Sequence, residues 1–168
     1  NGLNTIMWIP TVKALKERFQ VYQKARSETE DRDVPLGEGI SLVRDMFVAD
    51  SMDEARDKAA EALLTYLRWI AHWRGLGNHM DPGEELPETP GKLDLLTYEF
   101  LLPRNLLFGT PDYVSGKIEE LRDELNLQHL QVWSNFPCMP QDDVMSSIRK
   151  FTEEVMPKFA DKRAVAAE

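Results

Sequence analysis

Cysteine is almost missing: Cys138 is the one thiol in 168 residues. That excludes an internal disulfide framework and fits a reducing compartment. Long apolar runs are missing too, as is a signal-peptide pattern at the start, so a cytoplasmic protein without a membrane span is expected. Positive charge is scarce, with 20 basic against 29 acidic residues and a net charge of −9. Lys and Arg concentrate nowhere, which argues against nucleic acid as a partner. His72, His79 and His129 share no metal-ligand spacing with each other or with a carboxylate, so no metal site is expected. The phosphate-loop signature, the dinucleotide Gly-x-Gly-x-x-Gly and the Gly-x-Ser-x-Gly elbow are all absent. Cys138 lies between Pro137 and Met139-Pro140 with no basic neighbour and reads as an unreactive thiol. An initiator Met is also lacking. The chain opens on Asn1-Gly2-Leu3-Asn4 and runs straight into an apolar strand, as the closing part of a larger α/β protein would.

What is present is a strand-helix alternation. Thr5 to Ile9 reads as a strand. Pro10-Thr11 opens a helix whose apolar stripe is Val12, Leu15, Phe19 and Tyr22, and Ser27 to Gly39 reads as a loop. Ile40 to Ala49 is apolar on both faces for most of its length, as a buried parallel strand is. Ser51 and Glu54 form a capping box for a long helix with the expected stripe Ala55, Ala59, Ala62, Tyr66, Ile70 and Trp73, stopped at Gly75. Residues 75–92 are rich in Gly, Pro and acid and read as a long irregular excursion, a candidate functional loop. A short apolar helix over Leu93 to Leu102 precedes Pro103. Thr110-Pro111-Asp112 starts another helix with stripe Val114, Ile118, Leu121 and Leu125, and Asn126 suits its left-handed stop. Leu127 to Trp133 is the last expected strand. Pro140 to Asp143 starts the last helix, with Val144, Ile148, Phe151 and Val155 inward. The tail after 160 is rich in Ala and charge and is expected to fray.

The order β-α-β-α-(insert)-α-β-α implies right-handed crossovers and a parallel sheet of three strands. That is too few for a closed eight-stranded barrel, so unpaired edges and an uncovered face are expected. In such folds chemistry sits at the C-terminal ends of strands. Three places qualify: Trp8-Ile9-Pro10, Val48-Ala49-Asp50-Ser51 and Trp133-Ser134-Asn135-Phe136. On the last strand Leu130 and Val132 point one way, and Gln131, Trp133 and Asn135 the other. Trp133 and Asn135 are therefore candidate ligand contacts, against the plain reading of a packed Trp and a turn-forming Asn. Arg44, inside an apolar strand, needs an acidic partner, and Asp45 points to the opposite face. It either pairs with a carboxylate on another strand or faces a ligand cavity. Trp69, His72 and Trp73 could line a substrate pocket near the insert, with ordinary helix packing as the plainer alternative.

Three stretches together resemble the C-terminal half of the luciferase-like flavin-dependent monooxygenases. They are Leu42 to Ser51 with Asp53-Glu54-Ala55-Arg56; Phe108 to Val114 with Lys117 to Leu121; and Leu127 to Trp133 with Val144 to Phe151 and Glu154 to Pro157. The resemblance covers about residues 1–159, leaving 160–168 as a tail. It implies the C-terminal part of an α/β barrel of eight strands. Residues 1–9 would then approach or form the sixth strand, 40–49 the seventh and 127–133 the eighth, with an insertion over about 51–108. It also implies reduced FMN, supplied by a reductase, or a deazaflavin in some branches, and dioxygen, oxygenating a small organic substrate. Cofactor contacts from Trp133, Asn135 and Arg44 would be the far wall of that site. The family's flavin-phosphate motif matches sequence upstream of residue 1, so the chain alone is expected to be inactive. It is expected to associate with an N-terminal half, another chain or itself. A non-catalytic module that completes a barrel is the alternative.

Overall fold

The structure, a computed structural model, describes residues 4–85 and 92–160. The elements run β1 (Thr5–Trp8), α1 (Val12–Glu30), β2 (Ile40–Val48), α2 (Met52–Arg74), α3 (Tyr98–Asn105), β3 (Leu106–Gly109), α4 (Pro111–Leu125), β4 (His129–Trp133) and α5 (Gln141–Lys150). A π turn over Phe151–Val155 and a short 3₁₀ turn follow. The expected fraying beyond Ala160, and the part of the insert at 86–91, lie outside the described residues.

All strand pairs are parallel, and β2 is the hub. β1 pairs with its first half, Thr5 against Ile40 through Trp8 against Val43. β3 pairs with its second half, Asp45 against Leu106 through Val48 against Gly109. β4 lies along the other side, Ser41 against His129 through Asp45 against Trp133. Among the described residues the sheet therefore has four strands where three were expected. Leu106-Leu107-Phe108-Gly109 is buried on both faces, so it has no alternation to read, and it follows α3 without a break. The expected insertion over 51–108 thus contains most of a strand.

Several local signals hold. Thr11, Ser51 and Thr110 each accept a hydrogen bond from a backbone N–H three residues on. Glu54 reaches back to Asp50 N at 3.0 Å, which closes the capping box one residue early. Asn126 stops α4 at φ 48. Helix α1 runs past the expected break at Ser27, because the Arg26–Glu30 pair at 2.5 Å spans its last turn and Asp31 takes the left-handed stop.

Strand alternation divides the sheet into two faces, named here by Arg44 and Asp45. On the Arg44 face, Leu42, Met46, Val48 and Leu107 meet Leu15 and Phe19 of α1 and the buried stripe of α4. On the Asp45 face, Phe47, Leu106 and Phe108 meet α2 and α3. The expectation of an uncovered face is corrected there. The reason is the α2 ridge Ala55, Ala59, Leu63, Leu67 and Ala71, stepped by four, which requires an apolar surface and takes this one. The same ridge corrects the expected stripe: Ala62 and Tyr66 are half-buried, and Trp73 is 73% exposed. Cover is incomplete at the start of β1, where Ile6 is 63% exposed, and at β4, where Trp133 is 47% exposed. The first part of the excursion after α2 is tied down, with His79 buried, Asp81 paired with Lys13 and Glu84 with Arg104.

Candidate functional site

Trp8 and Trp133 are the last residues of β1 and β4, and both stand on the Asp45 face because their partners in β2 are Val43 and Asp45. Their rings lie 6.3 Å apart and nearly parallel, at 19°. Tyr66 of α2 completes the cluster, 6.0 Å from Trp8 and 6.1 Å from Trp133. Asp45 sits on the same face at 4% exposure. A carboxyl in such surroundings is far better neutral than charged. Burial pushes Asp45 up to about 7, with the Trp8 indole N–H and Arg44 acting in the opposite direction. Trp8 Nε1 favours the ionised carboxyl yet falls short of a hydrogen bond, so Trp8 Nε1 and Asp45 Oδ1 are both buried without a partner among the described residues. Burial, and then the nearby Asp45, also raises the Tyr66 hydroxyl.

A second polar cluster lies where β1 ends and β3 begins. β1 covers β2 only to Val43 and β3 takes over at Asp45, so a seam falls opposite Arg44. There the chain turns out of the sheet through Ile9 at φ 80, a strained value for a β-branched residue. The carbonyls freed by that turn are met by side chains. Asn105 Nδ2 donates to Ile9 O at 2.8 Å, and Arg44 Nη2 donates to Pro10 O at 2.7 Å. A carbonyl only accepts, which assigns Nδ2 of Asn105 as the donor there. The same amide nitrogen lies 3.1 Å from His79 Nδ1, so that nitrogen is the acceptor and the ring proton is on Nε2. Burial first, then Arg44, pushes His79 down to about 4, so it is neutral. Arg44 itself falls to about 10 through burial, opposed by Asp45 and Glu120. Arg44 Nη1 and Asn105 Oδ1 have no partner among the described residues.

These positions change the reading of the candidate residues. Arg44 has neither of its expected settings: at 2% exposure it binds a backbone carbonyl, on the face opposite Trp133. Trp133 donates its indole N–H to Asn135 O at 2.8 Å, so the two are neighbours, with Asn135 exposed. Trp69 at 65% and Trp73 at 73% exposure stand on the solvent side of α2, with His72 edge-on to Trp73 at 5.2 Å. Sequence reasoning passed over Asp45 and Tyr66. The signal for Asp45 was the alternation that separates it from Arg44 and places it with Phe47.

Among the described residues no helix is long and apolar enough to cross a membrane. No protein-family profile matches the chain, and no curated protein matches it. Solved structures do. The chain is similar to the monooxygenase RslO1 from Streptomyces bottropensis, at 20% identity over 95% of this chain and 43% of that one, TM-score 0.66. The oxygenating constituent of 3,6-diketocamphane monooxygenase from Pseudomonas putida, a type II Baeyer-Villiger enzyme solved with FMN, matches at 22% identity over 91% and 42%, TM-score 0.64. The coenzyme F420 dependent tetrahydromethanopterin reductase from Methanopyrus kandleri matches at 17% identity over 92% and 45%, TM-score 0.58.

The chain shares the fold of the matched part of these enzymes. It spans less than half the length of each of these structures. At these identities the likeness is one of fold.

Proposed function

We propose that this chain forms part of a flavin-dependent monooxygenase of the luciferase-like kind, oxygenating a small organic substrate with reduced FMN and dioxygen. The carrying observation is the likeness of 95% of the chain to a monooxygenase at TM-score 0.66. The residues present fit one wall of a flavin site. Trp133 offers a half-exposed ring for a flat aromatic group to lie on. When bound, the flavin would supply the reducing electrons. The chain's own residues would exclude water and orient the group. The likeness to an F420 dependent reductase keeps a deazaflavin as the alternative cofactor. Native mass spectrometry of the protein isolated from its own cells tests the reading. Flavin or deazaflavin on an assembly containing this chain is expected, and an assembly that never carries either overturns it.

A second reading, a non-catalytic module that completes a barrel with another chain, draws on the exposure of Ile6 and Trp133 at the sheet margins. In either case the partner would pair with the free sides of β1 and β4. The two readings part on chemistry: incorporation of one atom of labelled dioxygen into product belongs to the first alone.

A further inference from the structure

β4 is a sheet edge without protection. Among the described residues it pairs with β2 alone, so its outer row of backbone N–H and C=O groups has no strand beside it. Such a row is a template for another chain, and natural edges are usually blunted by Lys, Pro, a bulge or a covering element. His129-Leu130-Gln131-Val132-Trp133 contains no Lys, no Pro and no carboxylate. Its register against β2 runs unbroken from His129 to Trp133. His129, Gln131 and Trp133 stand exposed on the Asp45 face, and Leu130 and Val132 lie half-buried on the Arg44 face.

This pattern is complementary to itself. A second β4 laid antiparallel beside the first, with a two-fold axis at Gln131, gives every residue a fitting neighbour. On the Arg44 face Leu130 meets the copy's Val132. On the Asp45 face His129 meets the copy's Trp133, ring against ring. Gln131 meets its own copy, and an amide both donates and accepts. No like charges stand opposite one another. Moving the axis by one residue spoils the match, because Leu130 then faces Ser134 or Val132 faces Gln128. Beside the same edge lies a groove of about 810 Å3 whose lining includes Leu127, Leu130, Phe151, Met156 and Phe159. It widens the apolar strip that Leu130 and Val132 begin.

We propose that a second copy of this chain docks edge to edge along β4, antiparallel about a two-fold axis at Gln131, joining two four-stranded sheets into one. The inference goes beyond the proposed function. The copy takes the place at β4 that a barrel-completing partner would take, so it describes the chain when that partner is absent. Sedimentation equilibrium of the whole chain over a dilution series measures the dimer. Gln131 stands on the axis, so a charge placed there meets itself. Gln131→Lys and Gln131→Glu should each weaken the dimer about 10-fold or more. Circular dichroism and urea unfolding should stay as in the wild type, because the side chain is exposed. Mixed one to one, the two variants should restore a dimer at least as tight as the wild type's, since each edge then meets the opposite charge. That rescue separates a two-fold contact at Gln131 from misfolding and from association through Ile6. Ile6→Lys should leave this dimer intact and remove only larger species. A wild-type chain that stays monomeric at high concentration, single variants that dimerise as the wild type does, or a mixture that fails to restore the dimer overturns the proposal.

Discussion

Replacing Asp45 by Asn should remove a pH dependence of stability rather than remove stability. Below the ordinary carboxyl value of 3.8 the group is protonated whether the chain is folded or not. Between there and about 7 the unfolded chain releases the proton and the native one keeps it. The native state then binds more protons, so stability falls as pH rises, by ~1.4 kcal/mol for each pH unit. The loss reaches ~4 kcal/mol and levels off above pH 7, where both states are ionised. His79 works the other way. Held down to about 4 from 6.5, it lends stability that is present above 6.5 and lost as pH falls to 4, ~3 kcal/mol in all. These two contributions nearly cancel between about pH 4 and 6.5, and the difference between wild type and Asp45→Asn isolates the carboxyl. Asn fills the same space and cannot ionise, so the variant should overtake the wild type as pH rises from 4 to 8, by up to ~4 kcal/mol. Urea unfolding at half-unit intervals measures this. Parallel profiles for the two proteins would refute the burial argument.

Three further outcomes are expected. Ser147→Ala should cost ~1–3 kcal/mol in urea unfolding, because Val48 N–H then loses its 2.7 Å acceptor inside the core. Gly37→Ala should lower stability by ~2 kcal/mol or more: φ is +83 there, and an added Cβ would stand 2.2 Å from Asn126 O. The chain alone should self-associate in light scattering through the sheet margins at Ile6 and Trp133, and Ile6→Lys should reduce that association; a wild-type chain that stays monomeric at high concentration contradicts it.

The caps were legible because they are local. Ser51, Thr110 and Asn126 act within four residues of themselves, and the α1 and α4 stripes repeat a fixed period. The errors are non-local. Nothing near Leu106 says that a strand forms there, since its partner is Asp45, 61 residues earlier in the chain. The phase of α2 went astray at Ala62 because Ala and Leu stand side by side at 62 and 63, and only the opposing Phe47 and Phe108 select Leu63. Arg44 was expected to need an acidic partner or to face a ligand cavity. That it meets the carbonyl of Pro10 instead depends on how β1 leaves the sheet, which no spacing encodes.

The seam where β1 stops and β3 starts acts as a register lock. In a parallel sheet a strand can slip by two residues and keep its faces, so alternation alone does not forbid the error. Here the two strands share one side of β2 end to end. If β1 slid forward, Trp8 would overrun the stretch that β3 occupies. If it slid back, the Ile9 and Pro10 carbonyls would withdraw from Asn105 and Arg44 and leave buried donors stranded. The alignment of Trp8 with Trp133 is therefore held by steric abutment ahead and by polar tethers behind, and it should survive wide variation in the lengths of the loops on either side.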